Sequence, residues 1–245
     1  MIWIATALVC AAALIPTGAA AQASGNLVTI DAVTDLVERG LSATDGRAAI
    51  RAAIGGAVMP GLRLDASAVT LRGGGRNGGA DAGIDMAASY RMMRGAAAID
   101  AGIVARLFPG GAGGYDYVEM FGGASALIGP AEIGISASYA PDQAAIGGDN
   151  LYLRARARAA VIGTPVSLIG HVGRSSGAVD DPVRATRLRP DGRYVDWSAG
   201  AEYARGPLTF SVTYADSDAG RPRLAPPAFA RHGGARFVAG VAITF

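Results

Sequence analysis

The chain has 245 residues, enough for one sizeable domain or two small ones. Hydrophobic residues make up 51% of it and charged residues only 17%, below the roughly 25% charge usual in soluble domains. The formal net charge of +2 excludes a strong polyanion-binding field and so argues against nucleic-acid binding. Although the mean hydropathy is +0.29, no apolar run beyond the leader approaches the roughly 18 residues of a spanning helix.

The first residues predict an export signal. An apolar stretch is followed by small residues, and Ala21-Gln22-Ala23 fits the A-x-A pattern of a cleavage site. No arginine or lysine precedes the apolar stretch, so an uncleaved membrane anchor and a misplaced start are the alternatives. We expect a signal peptide over 1–23 and a barrel domain over 24–245. The single cysteine lies in the leader, which leaves the mature domain without thiol or disulfide chemistry.

The rest of the chain alternates apolar and polar residues in short segments. In the last segment, for example, Phe237 and Val241 share one face while Arg236 and Gly240 share the other. There are about twelve segments of roughly 8–12 residues, the length that a tilted transmembrane strand needs. In chain order they are Leu27–Val37, Arg47–Gly56, Leu62–Leu71, Ala82–Arg91, Ala97–Leu107, Tyr117–Ile128, Glu132–Tyr139, Leu151–Val161, Val166–Arg174, Tyr194–Tyr203, Leu208–Ala215 and Ala235–Phe245.

Short and long connections alternate between these segments. The short ones place Gly or Pro where hairpin turns require them, at Met59–Gly61, Met93–Gly95, Ile128–Pro130, Ile162–Pro165 and Arg205–Pro207. The long ones are polar, such as "RGGGRNGGAD" and "APDQAAIGGDN". The pattern predicts an all-β protein, an antiparallel transmembrane β-barrel of about 12 strands with short periplasmic turns and longer extracellular loops. A soluble periplasmic β-sandwich that acts as a binding module is the alternative fold.

In a barrel, the mid-strand charges must face the lumen. An arginine at the bilayer midplane on the lipid face costs roughly 2–4 kcal/mol, and "LYLRARARAAV" carries three on one face of a strand. We predict a lumen lined, and solute selectivity set, by Arg154, Arg156, Arg158, Arg51, Arg63, Arg106, Arg236, Asp65, Asp100, Glu119, Asp196 and Glu202. The same face carries Asp31, Asp35, Arg47, Asp85, Arg91, Glu132 and His171.

The arginine ladder of residues 154, 156 and 158 has two interpretations. In the first, it lines a pore and attracts anionic solutes through guanidinium contacts. In the second, it pairs with acids across the lumen and fills a narrow barrel with salt bridges. Barrels of about twelve strands lie between side-chain-filled barrels and 16-stranded water-filled porins. The sequence therefore predicts a narrow passive channel for small, preferably anionic solutes, with a non-conducting structural barrel as the alternative.

The sequence gives no support for an enzyme, a cofactor or a metal site. Ser167 and His171 share a strand face, but four residues of strand separate them by about 13 Å. A serine on a neighbouring strand stays open as a partner for this histidine. His232 lies in a polar loop, where solvation is the simplest expectation. We expect no catalytic activity and no nucleic-acid partner.

Several motifs, in order, are similar to those of a proteobacterial family of porin-like outer-membrane proteins, sometimes labelled TorF. They are "TDLVERGLSATDGRAAI" (Thr34–Ile50), "RLFPGG" near Phe108, "YDYVEMFGG" (Tyr115–Gly123), "ISASYAPD" (Ile135–Asp142), "YVDWSAGAEY" (Tyr194–Tyr203) and the terminal "FVAGVAITF". The resemblance implies an outer-membrane β-barrel of a Gram-negative bacterium whose solutes are mostly unassigned. It also implies that membrane lipid surrounds the barrel and that the assembly machinery recognises a closing strand ending at Phe245.

Overall fold

In a computed structural model, which describes residues 27–219 and 233–245, the chain forms a barrel. The expected signal peptide and His232 lie outside these residues. The strands in chain order are β1 (Leu27–Val33), β2 (Val37–Glu38), β3 (Leu41–Ser42), β4 (Ala49–Met59), β5 (Leu62–Thr70), β6 (Ala82–Arg94), β7 (Ala97–Leu107), β8 (Tyr117–Ile128), β9 (Ala131–Gln143), β10 (Gly148–Ala160), β11 (Val166–Ser176), β12 (Arg193–Arg205), β13 (Leu208–Ser217) and β14 (Arg236–Thr244).

Twelve of these strands, β1 and β4 to β14, form one closed antiparallel sheet. Each strand pairs with its neighbours in sequence, and β1 closes the barrel by pairing with both β4 and β14, with Asp31 opposite Arg51 and Thr29 opposite Thr244. Closure leaves no strand edge unpaired in the barrel wall. The predicted antiparallel barrel is confirmed, and the two-sheet sandwich alternative is wrong.

The connections define two ends of the barrel. At the turn end lie five tight turns together with the start of β1 and the end of β14. Gly61 takes a φ of +82° in the turn between β4 and β5, a conformation that a residue without a side chain adopts without strain. At the loop end lie the connections 34–48, 71–81, 108–116, 144–147 and 177–192, together with the described residues 218–219 and 233–235. The connection between β9 and β10 is shorter than expected, because both strands extend into the sequence "APDQAAIGGDN".

The outer wall is apolar along the middle of the strands. Large apolar side chains such as Ile135, which is 67% exposed, point away from the barrel, as expected for a lipid-facing wall. Aromatic side chains on the same face lie toward both ends, with Tyr203 and Phe210 near the turn end and Tyr214 and Phe237 near the loop end. In the part of the chain that the structure describes, no helix is long and apolar enough to cross a membrane.

The first predicted segment differs from the structure. It was expected to run from Leu27 to Val37, but β1 ends at Val33, and the chain then forms the β2–β3 hairpin before it enters β4. Leu41 at this hairpin is only 1% exposed. Arg47, expected in a strand facing the lumen, lies in the connection before β4 with a side chain that is 49% exposed. Alternation alone did not predict the hairpin because its two strands have only two residues each.

Candidate functional site

The inner face of the barrel carries the charges that the sequence singled out. Each of the twelve predicted lumen residues lies in a barrel strand, on the face opposite the apolar wall. Most of them form ion pairs with one another or with neighbouring inward residues. Three such pairs are Arg51 with Asp31 at 2.9 Å, Arg63 with Asp65 at 2.9 Å, and Arg91 with Asp100 at 3.2 Å. Their role in solute selectivity stays a prediction.

The arginine ladder on β10 points inward, and carboxylates face two of its members. Arg156 lies 3.1 Å from Glu132 of β9, and Arg158 lies 2.6 Å from Glu202 of β12. Arg154 lies opposite Gly173 of β11, a position without a side chain. The ladder therefore combines the two interpretations, since it lines the lumen and is partly neutralised by acids.

A buried charge cluster surrounds Glu119 of β8. Its carboxylate, with 0% side-chain exposure, accepts hydrogen bonds from Arg106 at 3.1 Å and from Arg39 at 2.7 and 2.9 Å. Arg106 also lies 3.3 Å from Asp85. Both contacts from Arg39 come from one guanidinium nitrogen, Nη2, which bridges the two carboxylate oxygens in charge-assisted hydrogen bonds. Sequence analysis missed Arg39, because it lies in the tight bend of the β2–β3 hairpin with φ +52° and not in an alternating segment.

The β2–β3 hairpin folds into the barrel and contacts its inner face. The hydroxyl of Tyr194 donates to the carbonyl oxygen of Arg39 at 2.7 Å, and the Arg39 guanidinium lies 4.7 Å from the ring centre of Tyr152. Gly40 follows with φ +71°, and a Cβ there would overlap the Cβ of Asp196. Only glycine fits this close approach. Contacts to β8, β10 and β12 thus hold the hairpin inside the lumen.

Buried arginines connect the loops above the hairpin. Arg76 and Arg187 each donate through Nε to the other's carbonyl oxygen, at 2.7 and 3.0 Å. Arg76 also donates to the carbonyl of Leu41 at 3.1 Å, and Arg187 donates to those of Tyr115 and Ala145 at 2.9 and 2.7 Å. Burial lowers the pKa of Arg187 to about 10, so it remains a cation at neutral pH. We call Arg76, Arg187 and their partners the loop cap.

Exposure of the inward side chains divides the lumen into two halves. Toward the turn end, the side chains of Arg63, Arg91, Arg156 and Arg158 are between 14% and 21% exposed. Toward the loop end, Arg106 and Arg39 are each 4% exposed and Glu119 is 0% exposed. The boundary is visible on single strands, because Ser136 of β9 is half-buried while Ser138 is 4% exposed. The arginines of the turn half therefore keep some contact with solvent, although their partners Asp65 and Glu202 are 1% and 2% exposed, and the hairpin and loop cap cover the cluster around Glu119.

His171 of β11 lies near this boundary in a polar chain of contacts. Its Nδ1 is 2.6 Å from the hydroxyl of Ser198, and its Nε2 is 2.8 Å from Asp196. Tyr152 also donates to Asp196 at 3.1 Å. Sequence analysis considered Ser167 on the same strand, whereas the register places Ser198 of β12 directly opposite His171. Among the described residues, no three His, Cys, Asp or Glu side chains are grouped to hold a metal ion.

Comparison with known proteins places the chain in a family. A family model described as "Bacterial protein of unknown function (Gcw_chp)" matches residues 19–245. The chain belongs to the Gcw_chp family. A search of the curated proteins found none with significant sequence similarity to it.

Outer-membrane proteins are among the solved structures that are similar to the chain. The COG4313 outer membrane channel from Pseudomonas putida F1 is similar with a TM-score of 0.55 at 10% identity, covering 94% of this Gcw_chp chain and 98% of the channel. A loop-deleted OmpT, an outer membrane protein of Vibrio cholerae, has a TM-score of 0.47 at 10% identity, covering 90% and 98% of the two chains. A porin structure has a TM-score of 0.41 at 13% identity, covering 86% and 63%. At 10% identity, the similarity to the COG4313 channel shows a shared fold and nothing more. We draw no conclusion from the two structures with TM-scores below 0.5.

Proposed function

We propose that this Gcw_chp protein is a passive outer-membrane channel for small solutes, narrowed by the β2–β3 hairpin. The observation that carries the proposal is a closed barrel with an apolar outer wall and a charged inner face whose turn half is open to water. By the usual sidedness of such barrels, the turn end faces the periplasm and the loop end faces outward. The protein acts without catalysis in this role.

The hairpin is the proposed constriction. It enters the lumen from the loop end, and the Arg39–Glu119 pair holds it against the far wall. A segment inside the lumen reduces the cross-section without any change in the barrel itself. Because a single hairpin forms the constriction, its displacement would widen the path while the barrel stays closed.

We further propose a weak anion preference set by the ladder on β10. Arg156 and Arg158 are partly neutralised by Glu132 and Glu202, yet their side chains stay 18% and 21% exposed. A guanidinium that meets water in a confined, low-dielectric path attracts anions even when one side is paired. The preference is expected to be modest, because acids lie beside the arginines.

Planar-bilayer recordings of the refolded protein test this function. For the wild type we expect a small conductance whose reversal potential is shifted toward the equilibrium potential of anions. The shift should disappear when Arg154, Arg156 and Arg158 are replaced by serine. A matched control replaces Arg174 and Arg193 with serine, since both are exposed on the outer wall near the loop end. Unchanged selectivity in the ladder variant would overturn the anion preference.

The second candidate function is a non-conducting structural barrel. The loop cap and the buried cluster around Glu119 favour it, since both close the loop half of the lumen. Absence of conductance in the wild type, together with absence in a variant whose residues 36–43 are deleted, would establish this alternative. Conductance that appears only in the deletion variant would identify a channel closed by its own hairpin.

We also propose membership of the TorF-like group, location in the outer membrane of a Gram-negative bacterium, and recognition of β14 by the barrel assembly machinery. The order of the family motifs, the closed barrel and the exposed terminal Phe245, at 66%, support these proposals. Cell fractionation of wild type and Phe245→Ala tests the last two. We expect wild type in the outer-membrane fraction and less assembled Phe245→Ala protein; recovery of wild type elsewhere would contradict the location.

A further inference from the structure

The chain of contacts through His171 carries the chemistry of an activated serine. Asp196 is fully buried and, as a carboxylate, only accepts hydrogen bonds, so the proton on His171 resides on Nε2. The other ring nitrogen, Nδ1, then accepts from the hydroxyl of Ser198 at 2.6 Å. A serine that donates to a histidine, itself oriented by a carboxylate, is the arrangement of a base-activated nucleophile.

The β11–β12 register produces this arrangement. His171 lies opposite Ser198, and Asp196 is the next inward residue on the same strand, opposite Gly173. Because Gly173 has no side chain, the Tyr152 hydroxyl and the Asp196 carboxylate fit into the space beside it, where the carboxylate reaches His171. Tyr152 donates a further hydrogen bond to Asp196 and fixes the carboxylate.

A spare hydrogen-bond donor lies beside the serine. The hydroxyl of Thr213 on β13 is buried, with the residue 2% exposed, and has no hydrogen-bond partner among the described residues. Thr213 lies opposite Gly200, the inward residue that follows Ser198. Diagonal neighbours on adjacent strands lie about 7 Å apart, and the Thr213 hydroxyl lies over Gly200, where a Cβ would be only 2.7 Å from it. An unpaired buried donor at this position can stabilise an oxyanion.

The part of the lumen on the turn side of Ser198 is the route by which a substrate would have to reach the serine. Gly200 there contributes no side chain and is half-buried, whereas the side chain of His171 is 7% exposed. Arg156, opposite His171, is 18% exposed. Ser198 itself is 8% exposed, so the proposed substrate would have to enter past Arg156 and Gly200.

We propose that Ser198, His171 and Asp196 form a lumenal site that hydrolyses small carboxylic esters. The Ser198 oxygen bonds to the ester carbonyl carbon and gives its proton to His171 Nδ1, while the carbonyl π electrons move to the oxygen beside Thr213. Collapse breaks the bond to the alkoxy group, which leaves with the proton from His171. Water then attacks the acyl-serine in the same way and releases the carboxylic acid.

The test uses the full-length refolded protein with a fluorophosphonate probe, mass spectrometry of the adduct, and p-nitrophenyl acetate turnover. We expect one adduct, on Ser198, and at least a 100-fold slower labelling in Ser198→Ala and His171→Gln. Thr213→Val lowers the turnover rate at least 10-fold, whereas Ser167→Ala, also inward on β11, leaves both readouts unchanged. Heat-modifiable gel mobility shows that each variant is folded.

Three results would overturn the proposal. The first is an absence of adduct on Ser198 in the wild type, and the second is equal labelling rates in wild type and His171→Gln. The third is a lack of reaction between Ser198→Cys and a methanethiosulfonate reagent in the folded barrel. That result would mean that no ester reaches this position.

Discussion

Replacement of Arg39 by alanine should release the hairpin from the lumen. The side chains of Arg39 and Glu119 are 4% and 0% exposed, and removal of one partner from such a buried pair costs roughly 3–5 kcal/mol. Glu119 keeps its hydrogen bond from Arg106 at 3.1 Å, so the lower value of about 3 kcal/mol applies. Since 1.4 kcal/mol is tenfold in an equilibrium constant, the displaced state of the hairpin gains about 150-fold in population.

Single-channel recording measures this change as the fraction of time in which a larger conductance is seen. Arg47→Ala is the matched control, because Arg47 lies in the same connection but is 49% exposed and 3.7 Å from Asp45, a type of pair worth about 0–1 kcal/mol. We expect the larger conductance in Arg39→Ala and not in Arg47→Ala. An Arg39→Ala protein that is folded and shows the wild-type open fraction would refute the hairpin as constriction.

Two stability predictions follow from the loop cap and the inner wall. Arg187→Ala leaves several buried carbonyls without a donor, at a cost of roughly 1–3 kcal/mol each. Limited digestion with chymotrypsin should therefore cut the loops of this variant faster than those of Arg184→Ala. Arg184 is the control because its side chain is 30% exposed. Equal digestion rates would contradict the role of the cap. Gly173→Ala adds a Cβ that overlaps the hydroxyl of Tyr152 and should cost roughly 1–3 kcal/mol in urea unfolding. In the control Gly122→Ala, the new Cβ would lie 3.5 Å from the nearest atom, so the free energy of unfolding should stay within about 0.5 kcal/mol of wild type. Equal losses of unfolding free energy in the two variants would show that the Tyr152 contact is not tight.

Much of the barrel could be predicted from local sequence patterns. Alternation of period two reports which side chains share a face, and Gly61 or Pro207 marks a turn through its own backbone preference. The strands from β4 to β14 therefore lie close to the segments predicted for them. The interpretation of the ladder also depended on a local argument, the cost of an arginine that faces lipid.

The parts that sequence analysis missed depend on contacts between distant residues. Arg39 and Arg187 lie in connections, where no periodicity reports side-chain direction, and their partners are up to 111 residues away. The contact between Ser198 and His171 depends on the register of two strands, which alternation does not determine. For the same reason the sequence predicted an inward Arg158 but not its pairing with Glu202.

In the proposed channel, water enters the lumen from the turn end and stops where the hairpin begins. Ser136 and Ser138 are successive inward residues of β9 on the two sides of that boundary. Cysteine variants at these positions, treated with a charged methanethiosulfonate reagent in the folded barrel, test the claim most directly. Fast modification of Ser136→Cys and at least 100-fold slower modification of Ser138→Cys is the predicted result, and equal rates at the two positions would contradict it.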